Sequence, residues 1–380
     1  MLIKKLLLYI FSVVMTVFSA LNIPVYAIDA DISAECAVVL NAYTNELIYS
    51  KNPFTQKSMA STTKIMTSLI AVESGLLMNE VTVTDEIHSE GSSIGLKKRD
   101  ILTLENLVYA MMLESGNDAA EVTAEYFSGN EERFADLMNA KARSIGMNYT
   151  NFVTASGLDS DEHYSTAYDM ALLGAYAVKN PVFRKFCATE TKTVNFIVPQ
   201  YKTTFSNHNK LLKYCDGVFG IKTGFTKKSG RCLVTACERD GVTLVAVTLN
   251  APNDWNDHEK LYEICYDSLN VTPFDLYYNR EIAVYGSEIY SVSVASQEKI
   301  YNYSTLSDNK AVTKILLPDF LYAPIKKGDI LGEIQVVSDD KIIYSTPLIA
   351  GENAESIKGE AVKKYSLIEK IRHFFVERKI

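Results

Sequence analysis

The sequence predicts an α+β fold: an antiparallel sheet flanked by helices with a helical insertion, then a small C-terminal all-β domain and a terminal amphipathic helix. Three observations carry that prediction. Strand-like alternation comes early, at 37–50, and late, at 192–249, while helical periodicity fills the stretch between. From about residue 274 the long helical patterns stop, and β-branched, tyrosine-rich runs divided by turns take over. At the end of the chain Leu367, Ile368, Ile371, Phe374 and Phe375 fall on one helical stripe, flanked by Lys370, Arg372, Glu377, Arg378 and Lys379.

Taken in order, Lys4-Lys5, an apolar run from Leu6 to Leu21 and the small-residue pattern of Val25-Tyr26-Ala27 read as a secretory signal over 1–27. An uncleaved anchor is the competing reading, but the run is short for a full span and Pro24 ends a helix early. Residues 37–50 read as two short strands around the turn Tyr43-Thr44-Asn45-Glu46. A polar loop with Pro53 follows, and then Ile65, Met66, Leu69, Ile70 and Val72 mark a buried helix ending near Gly75. Residues 81–84 alternate as a strand, Gly91-Ser92-Ser93-Ile94-Gly95 is a loop, and Thr103 caps a helix through Leu104, Leu107, Val108, Met111 and Met112. That helix breaks at Glu114-Ser115-Gly116-Asn117, and a new one starts at Asp118. Residues 131–145 form an amphipathic helix stopped by Gly146; Thr166 caps another to about Val178, and Pro181 opens a short one. Strands are expected at 192–198, 217–222, 231–237 and 242–249, the last two joined by an Asp240-Gly241 hairpin, before a closing helix at 257–269. The domains expected are therefore a signal over 1–27, a main domain over 28–272, a β domain over 273–357 and an amphipathic helix over 358–380, read as lying in a membrane interface with docking on its own protein as the competing reading.

Composition narrows the function. A chain of 380 residues with 47% hydrophobic content is ample for two cored domains. The net charge is −8 with no long basic run, which excludes nucleic acid as an expected partner. Cys36, Cys187, Cys215, Cys232, Cys237 and Cys265 follow no disulfide framework and read mostly as buried free thiols. No Cys or His cluster has metal-ligand spacing, so no metal and no cofactor are expected.

The chemistry begins at Ser61, which sits at the first turn of the predicted buried helix, with Lys64 one turn on and on the same face. A serine hydroxyl beside an amine is a nucleophile with its own base, provided burial or a second cation lowers the lysine pKa. The spacing alone is weak, because Ser296–Lys299, Ser307–Lys310 and Ser338–Lys341 repeat it in strand-like surroundings. Two later segments strengthen it: Ser115-Gly116-Asn117 in a helix break, and Lys222-Thr223-Gly224, which occurs once and is expected to end a strand. Helix-start Ser-x-x-Lys, helix-break Ser-x-Asn and strand-edge Lys-Thr-Gly, in that order, are the triplet of class A β-lactamases and penicillin-binding proteins. Acyl transfer assigns them as follows. Ser61 attacks a carbonyl, Lys64 takes its proton and Ser115 relays a proton to the leaving nitrogen. Asn117 orients the substrate peptide. Lys222 places positive charge beside Lys64, Thr223 binds a substrate carboxylate, and Gly224 lets an extended substrate approach. Backbone N–H groups of Ser61 and Phe225 form the oxyanion hole.

Around these motifs the sequence resembles the D-alanyl-D-alanine carboxypeptidases, the low-molecular-weight penicillin-binding proteins. The resemblance rests on Gly91–Leu96, Ser115–Ala120, Gly157-Leu158-Asp159, His163–Ala167, Asn207–Leu212 and Gly220–Thr226, and covers roughly residues 30–270. It implies a β-lactamase-like fold, removal of the terminal D-alanine from peptidoglycan stem pentapeptides through an acyl-enzyme, and acylation by β-lactam antibiotics. Three departures stand out. Met59 replaces a usual proline, Arg99 a usual glycine, and the segment Asn253–His258 lacks an arginine that helps hold the substrate carboxylate in the family. Carboxylate recognition then falls to Thr223 and Lys222, with His258 as a candidate helper.

Rival readings differ on specific features. A serine β-lactamase wants a glutamate in an E-x-x-L-N setting between Asn117 and Lys222, and none occurs. A non-catalytic penicillin-sensing or wall-binding module would not need all three motifs intact. The Gly91–Gly95 stretch matches a G-x-S-x-G nucleophile elbow but lacks the strand before and helix after. His163, Asp159, Asn207 and Asn209 are expected to brace loops and turns, and Trp255 is either core or substrate platform.

Overall fold

The computed structural model describes residues 30–87, 90–298, 300–306, 311–338 and 340–357. The signal over 1–27 and the amphipathic stripe over 358–380 lie outside the described residues. Among the described residues two compact units emerge, one taking in 30–272 and 302–306, the other 273–301 and 311–357.

The first unit is organised on a five-stranded antiparallel sheet. Its strands are β1 (Cys36–Asn41), β2 (Leu47–Lys51), β7 (Val218–Thr226), β8 (Gly230–Arg239) and β9 (Val242–Leu249), in the order β2-β1-β9-β8-β7. The central strands are covered on both faces, which is why they read as nearly unbroken apolar runs. Cys36, Val38 and Leu40 of β1, Cys232 and Val234 of β8, and Val245 and Val247 of β9 face one core. Their neighbours Ala37, Val39, Leu233, Leu244 and Ala246 face a second core on the other side. Between β2 and β7 come helix α1 (Lys64–Glu73), the small pair β3 (Glu80–Thr82) and β4 (Ile101–Thr103), and helices α2 (Leu104–Tyr109), α3 (Asn117–Ser128), α4 (Glu131–Ile145), α5 (Ala167–Val178) and α6 (Pro181–Ala188). A hairpin of β5 (Thr191–Phe196) and β6 (Tyr201–Ser206) follows, and α7 (Asp254–Asp267) closes the unit over the second core.

Local signals place these ends where the sequence predicts them. Thr103 accepts a hydrogen bond from the Asn106 N–H at 3.3 Å, and Thr166 one from the Asp169 N–H at 3.1 Å. Gly146 ends α4 in the left-handed region at φ 95°, and Asp240-Gly241 turns the β8–β9 hairpin with both φ positive. All six cysteines are buried free thiols. Two expectations are corrected. Tyr201–Ser206 is a strand the sequence does not announce, because most of its side chains are exposed and the apolar alternation is weak. Strand β7 does not end at the Lys-Thr-Gly triplet but continues through Thr226, paired with β8 down to Gly230.

In the remainder, β10 (Asn270–Asp275) and β13 (Ile300–Thr305) form a two-stranded pair. The second unit is built on a six-stranded sheet of β11 (Asn279–Tyr285), β12 (Ser291–Ser296), β14 (Val312–Leu316), β15 (Phe320–Tyr322), β16 (Ile330–Ser338) and β17 (Lys341–Ala350), in the order β14-β16-β17-β12-β11-β15. Only the β11–β15 contact is parallel.

Candidate active site

Ser61 lies in a 3-10 turn, Ala60–Thr63, that leads directly into α1 at Lys64. Ala60 sits in the left-handed region at φ 48°, so the chain turns sharply just before Ser61. Helix α1 is buried from Lys64 to Val72, and its first residue is a fully buried lysine. The Lys64 amine is 3.1 Å from Ser61 Oγ and donates to Asn117 Oδ1 and to the Ser156 carbonyl, each at 2.6 Å. Two fixed acceptors match the two hydrogens of a neutral amine and leave its lone pair for the serine O–H. Burial, helped by the nearby Lys222 charge and opposed by Asp118, holds the Lys64 pKa well below the ordinary lysine value. The arrangement suits a neutral amine better than a charged structural lysine.

The second motif stands at a backbone irregularity. Helix α2 widens into a π turn over Ala110–Glu114 and stops at Ser115, which is left-handed at φ 63° and buried. A left-handed serine costs on the order of 1–2 kcal/mol and marks a site where the surroundings dictate the backbone. Two residues on, Asn117 opens α3, so its contact with Lys64 ties this break to the first helix. Sequence reasoning assigns Asn117 to the substrate, yet both ends of its amide are engaged within the protein. Oδ1 accepts from Lys64, and Nδ2 donates to the Glu90 carbonyl in a short contact. Asp118 receives the Ser93 hydroxyl at 2.6 Å and the N–H groups of Ile94, Gly95 and Leu96. The Gly91–Gly95 loop is therefore a rim fastened to α3, and Ser93 is no nucleophile elbow.

The third motif is strand β7, the free edge of the sheet. Lys222 is buried and donates to the Thr223 carbonyl at 3.0 Å; burial lowers its pKa to about 7. Thr223 is half-buried and Phe225 exposed. Gly224 is packed against the nucleophile turn: a Cβ there would stand 3.1 Å from Met59 O, Ser61 N and Thr62 N. The missing side chain thus faces Ser61, which sequence reasoning had not foreseen in assigning this glycine to substrate approach. His208 and Glu114, 3.6 Å apart, lie close enough to Lys222 for its charge to help lower the His208 pKa, after burial. Nothing in the sequence alone ranks them.

The pieces are held in place by residues between the motifs. Gly157, at φ 85°, passes so near the nucleophile turn that a Cβ would lie 2.0 Å from Ala60 O. Asp159 accepts from Ser58 at 3.0 Å and from Thr226 at 2.9 Å, joining the loop before Ser61 to the end of β7. His163 accepts the Val153 N–H on Nδ1 at 3.0 Å, which leaves Nε2–H to donate to Thr63 Oγ1 at 2.8 Å. Burial pushes its pKa down to about 4. Asn207 donates to the Thr189 carbonyl and accepts from the Asn209 N–H, as turn residues do. His258 as a helper in carboxylate binding is overturned. It is a fully buried residue of α7, between Thr235 at 2.7 Å and Thr248 at 3.0 Å, with its pKa lowered by burial to about 3. Trp255 belongs to that same second core.

A half-buried serine beside a fully buried lysine, set between a left-handed helix break and an open sheet edge, defines the chain as a serine acyl-transfer enzyme of the penicillin-recognising class. Its family is equally clear. Residues 24–253 match the model of the D-alanyl-D-alanine carboxypeptidases, and residues 275–356 match the penicillin-binding protein 5 C-terminal domain. The chain belongs to the D-alanyl-D-alanine carboxypeptidase family, whose members are serine peptidases acting on peptidoglycan outside the cytoplasm and sensitive to penicillin. Among its relatives is the D-alanyl-D-alanine carboxypeptidase DacF of Bacillus subtilis, 28% identical over 84% of this chain and 85% of that one. DacC of Escherichia coli is 30% identical over 85% of each. The crystal structure of penicillin-binding protein 5 from Haemophilus influenzae superposes with a TM-score of 0.61, at 25% identity, over 86% of this chain and 99% of that one.

Proposed function

We propose that the chain removes the terminal D-alanine of stem pentapeptides with Ser61 as nucleophile and Lys64 as its base. An extended peptide adds to the open edge of β7. As Ser61 Oγ attacks the scissile carbonyl, its proton passes to Lys64, whose two N–H bonds to Asn117 and Ser156 keep the lone pair aimed at the hydroxyl. The N–H groups of Ser61 and Phe225 receive the oxyanion. Ser115 relays the proton to the departing D-alanine nitrogen, and water hydrolyses the acyl-enzyme by the reverse proton path. Lys222 and Thr223 hold the terminal carboxylate, with Lys222 protonated for that purpose, and Asn117 acts chiefly by positioning Lys64. The signal over 1–27 directs export, residues 28–272 carry catalysis, 273–357 form a spacer, and 358–380 hold the protein to the membrane surface.

The observation that carries the mechanism is the three-way coordination of the Lys64 amine. Mass spectrometry after benzylpenicillin should find one adduct, on the peptide holding Ser61. Lys64→Ala should abolish that adduct; normal acylation of Lys64→Ala would remove the assigned base. Rapid turnover of a chromogenic cephalosporin, in place of a long-lived adduct, would make the protein a lactamase.

A further inference from the structure

The second unit carries an exposed aromatic surface that catalysis does not use. Strand β15 lies at the edge of the six-stranded sheet, parallel to β11, with Val284 opposite Leu321 and Tyr285 opposite Tyr322. Side chains alternate across a strand, so the buried Val284 and Leu321 face the interior, while Tyr285, Phe320 and Tyr322 share the outer face. These three rings touch one another, with centroids 5.4, 5.5 and 6.3 Å apart. Even so, Tyr285 remains 58%, Phe320 45% and Tyr322 71% exposed. Exposed Tyr290 and Ile357 adjoin the cluster: the Tyr290 carbonyl accepts from Val284 N–H at 2.8 Å, and the Ile357 N–H donates to the Gly286 carbonyl at 3.0 Å. A surface of large apolar groups this contiguous marks a docking site.

Its occupant is indicated by where the chain goes next. Ile357 is the last described residue and sits beside the aromatic cluster. The 23 residues beyond it carry seven basic against three acidic side chains, together with Leu367, Ile368, Ile371, Phe374 and Phe375, in a protein of net charge −8. Such a composition suits an anionic lipid surface. Tyrosines with an apolar body and a polar tip are the residues that settle at the headgroup level of a bilayer, and Lys326 and Lys327 are exposed on the turn that follows β15. Glu288 and Asp319 adjoin the patch in sequence, and exposed Glu355 lies beside it next to Ser356, which pairs with Ser287. We propose that Tyr285, Phe320 and Tyr322 form a second membrane contact, resting in the headgroup region of an anionic bilayer beside the terminal segment. This inference relies on the membrane reading of 358–380 for its occupant but concerns a different surface.

The test uses the full exported chain with Tyr322→Cys, labelled with an environment-sensitive fluorophore, and Thr313→Cys on the opposite edge strand β14 as control. Phosphatidylethanolamine–phosphatidylglycerol vesicles should shift the emission of the label at 322, doxyl lipids should quench it, and the label at 313 should not respond. Combining Tyr285→Ser, Phe320→Ser and Tyr322→Ser should lower vesicle partition by about tenfold and leave hydrolysis of a soluble peptide unchanged. A silent label at 322 on a chain that still floats with vesicles overturns the patch and spares the terminal segment. A chain that does not float at all overturns both. A label that responds instead to soluble glycan strands, or to protein concentration alone, assigns the surface to a different partner and overturns the proposal.

Discussion

Gly224→Ala separates two roles for the glycine of the third motif. In the structure the added methyl points at the nucleophile turn, 3.1 Å from Met59 O, Ser61 N and Thr62 N, whereas ordinary contact begins near 3.4 Å. Either the strand or the turn must give way by a few tenths of an ångström. Overpacking of that kind costs about 1–3 kcal/mol of stability, enough to lower the thermal midpoint by a few degrees without unfolding the domain. The turn carries both the Ser61 hydroxyl and the Ser61 N–H proposed to receive the oxyanion. If a 1 Å displacement of reacting groups costs about a hundredfold, a shift of three to four tenths costs roughly four- to sixfold, about 1 kcal/mol in the barrier. Stopped-flow acylation by a fluorescent penicillin and single-turnover hydrolysis of a D-Ala-D-Ala peptide should fall by the same factor, because both use Ser61. A loss confined to the peptide would mean that the glycine serves substrate approach, and unchanged acylation would refute the packing argument altogether.

The pH dependence follows from two lysines pushed the same way by burial. The Lys64 amine must be neutral and Lys222 charged, so kcat/KM for carboxylate-bearing peptides should fall as pH rises through about 7. An amidated ligand should lack that alkaline limb, and an identical limb for both ligands would remove Lys222 from carboxylate binding. Stability has its own dependence. His163 and His258, lowered to about 4 and about 3, are neutral in the fold, so the unfolded chain binds more protons below the ordinary histidine value of 6.5. Their contribution is complete above that value and is lost as pH falls toward 4 and then 3, with His163 alone worth about 3 kcal/mol. Urea midpoints followed by Trp255 fluorescence should therefore drop on acidification, and less steeply in His258→Gln; an equally steep drop would acquit His258. Arg231 donates to the buried Asp254 at 2.9 Å, and Arg231→Ala should strand that carboxylate at a cost of about 1–2 kcal/mol, discounted because the guanidinium is partly exposed. Penicillin acylation should be unaffected. If carboxylate binding fails while stability holds, Arg231 is the substitute for the missing family arginine.

What could be read from the sequence was whatever a short window encodes. The cap at Thr166, the stop at Gly146 and the turn at Asp240-Gly241 involve only neighbours, and the apolar periodicity after Ile65 announces a buried helix without help from the rest of the chain. Strand β6 escaped because its hairpin lies largely in solvent, where no apolar alternation is demanded of it. The three motifs were legible as a set because their order resembles that of the penicillin-recognising enzymes, but the reasons for their precision were not. The Lys64 amine is held toward Ser61 in part because Ser156, 92 residues away, offers a carbonyl that takes one of its hydrogens. Asp159 can fasten Ser58 to Thr226 only because the chain between them folds back, and no spacing in the sequence measures that return. Gly157 and Gly224 make the same point from opposite sides of the nucleophile turn. At Gly157 the Ala60 carbonyl occupies the place of a side chain, and at Gly224 the backbone around Ser61 leaves too little room for an unstrained one. The nucleophile is thus positioned less by its own helix than by two distant segments pressed against it, and substitutions at these glycines should disturb catalysis even though neither one touches the scissile bond.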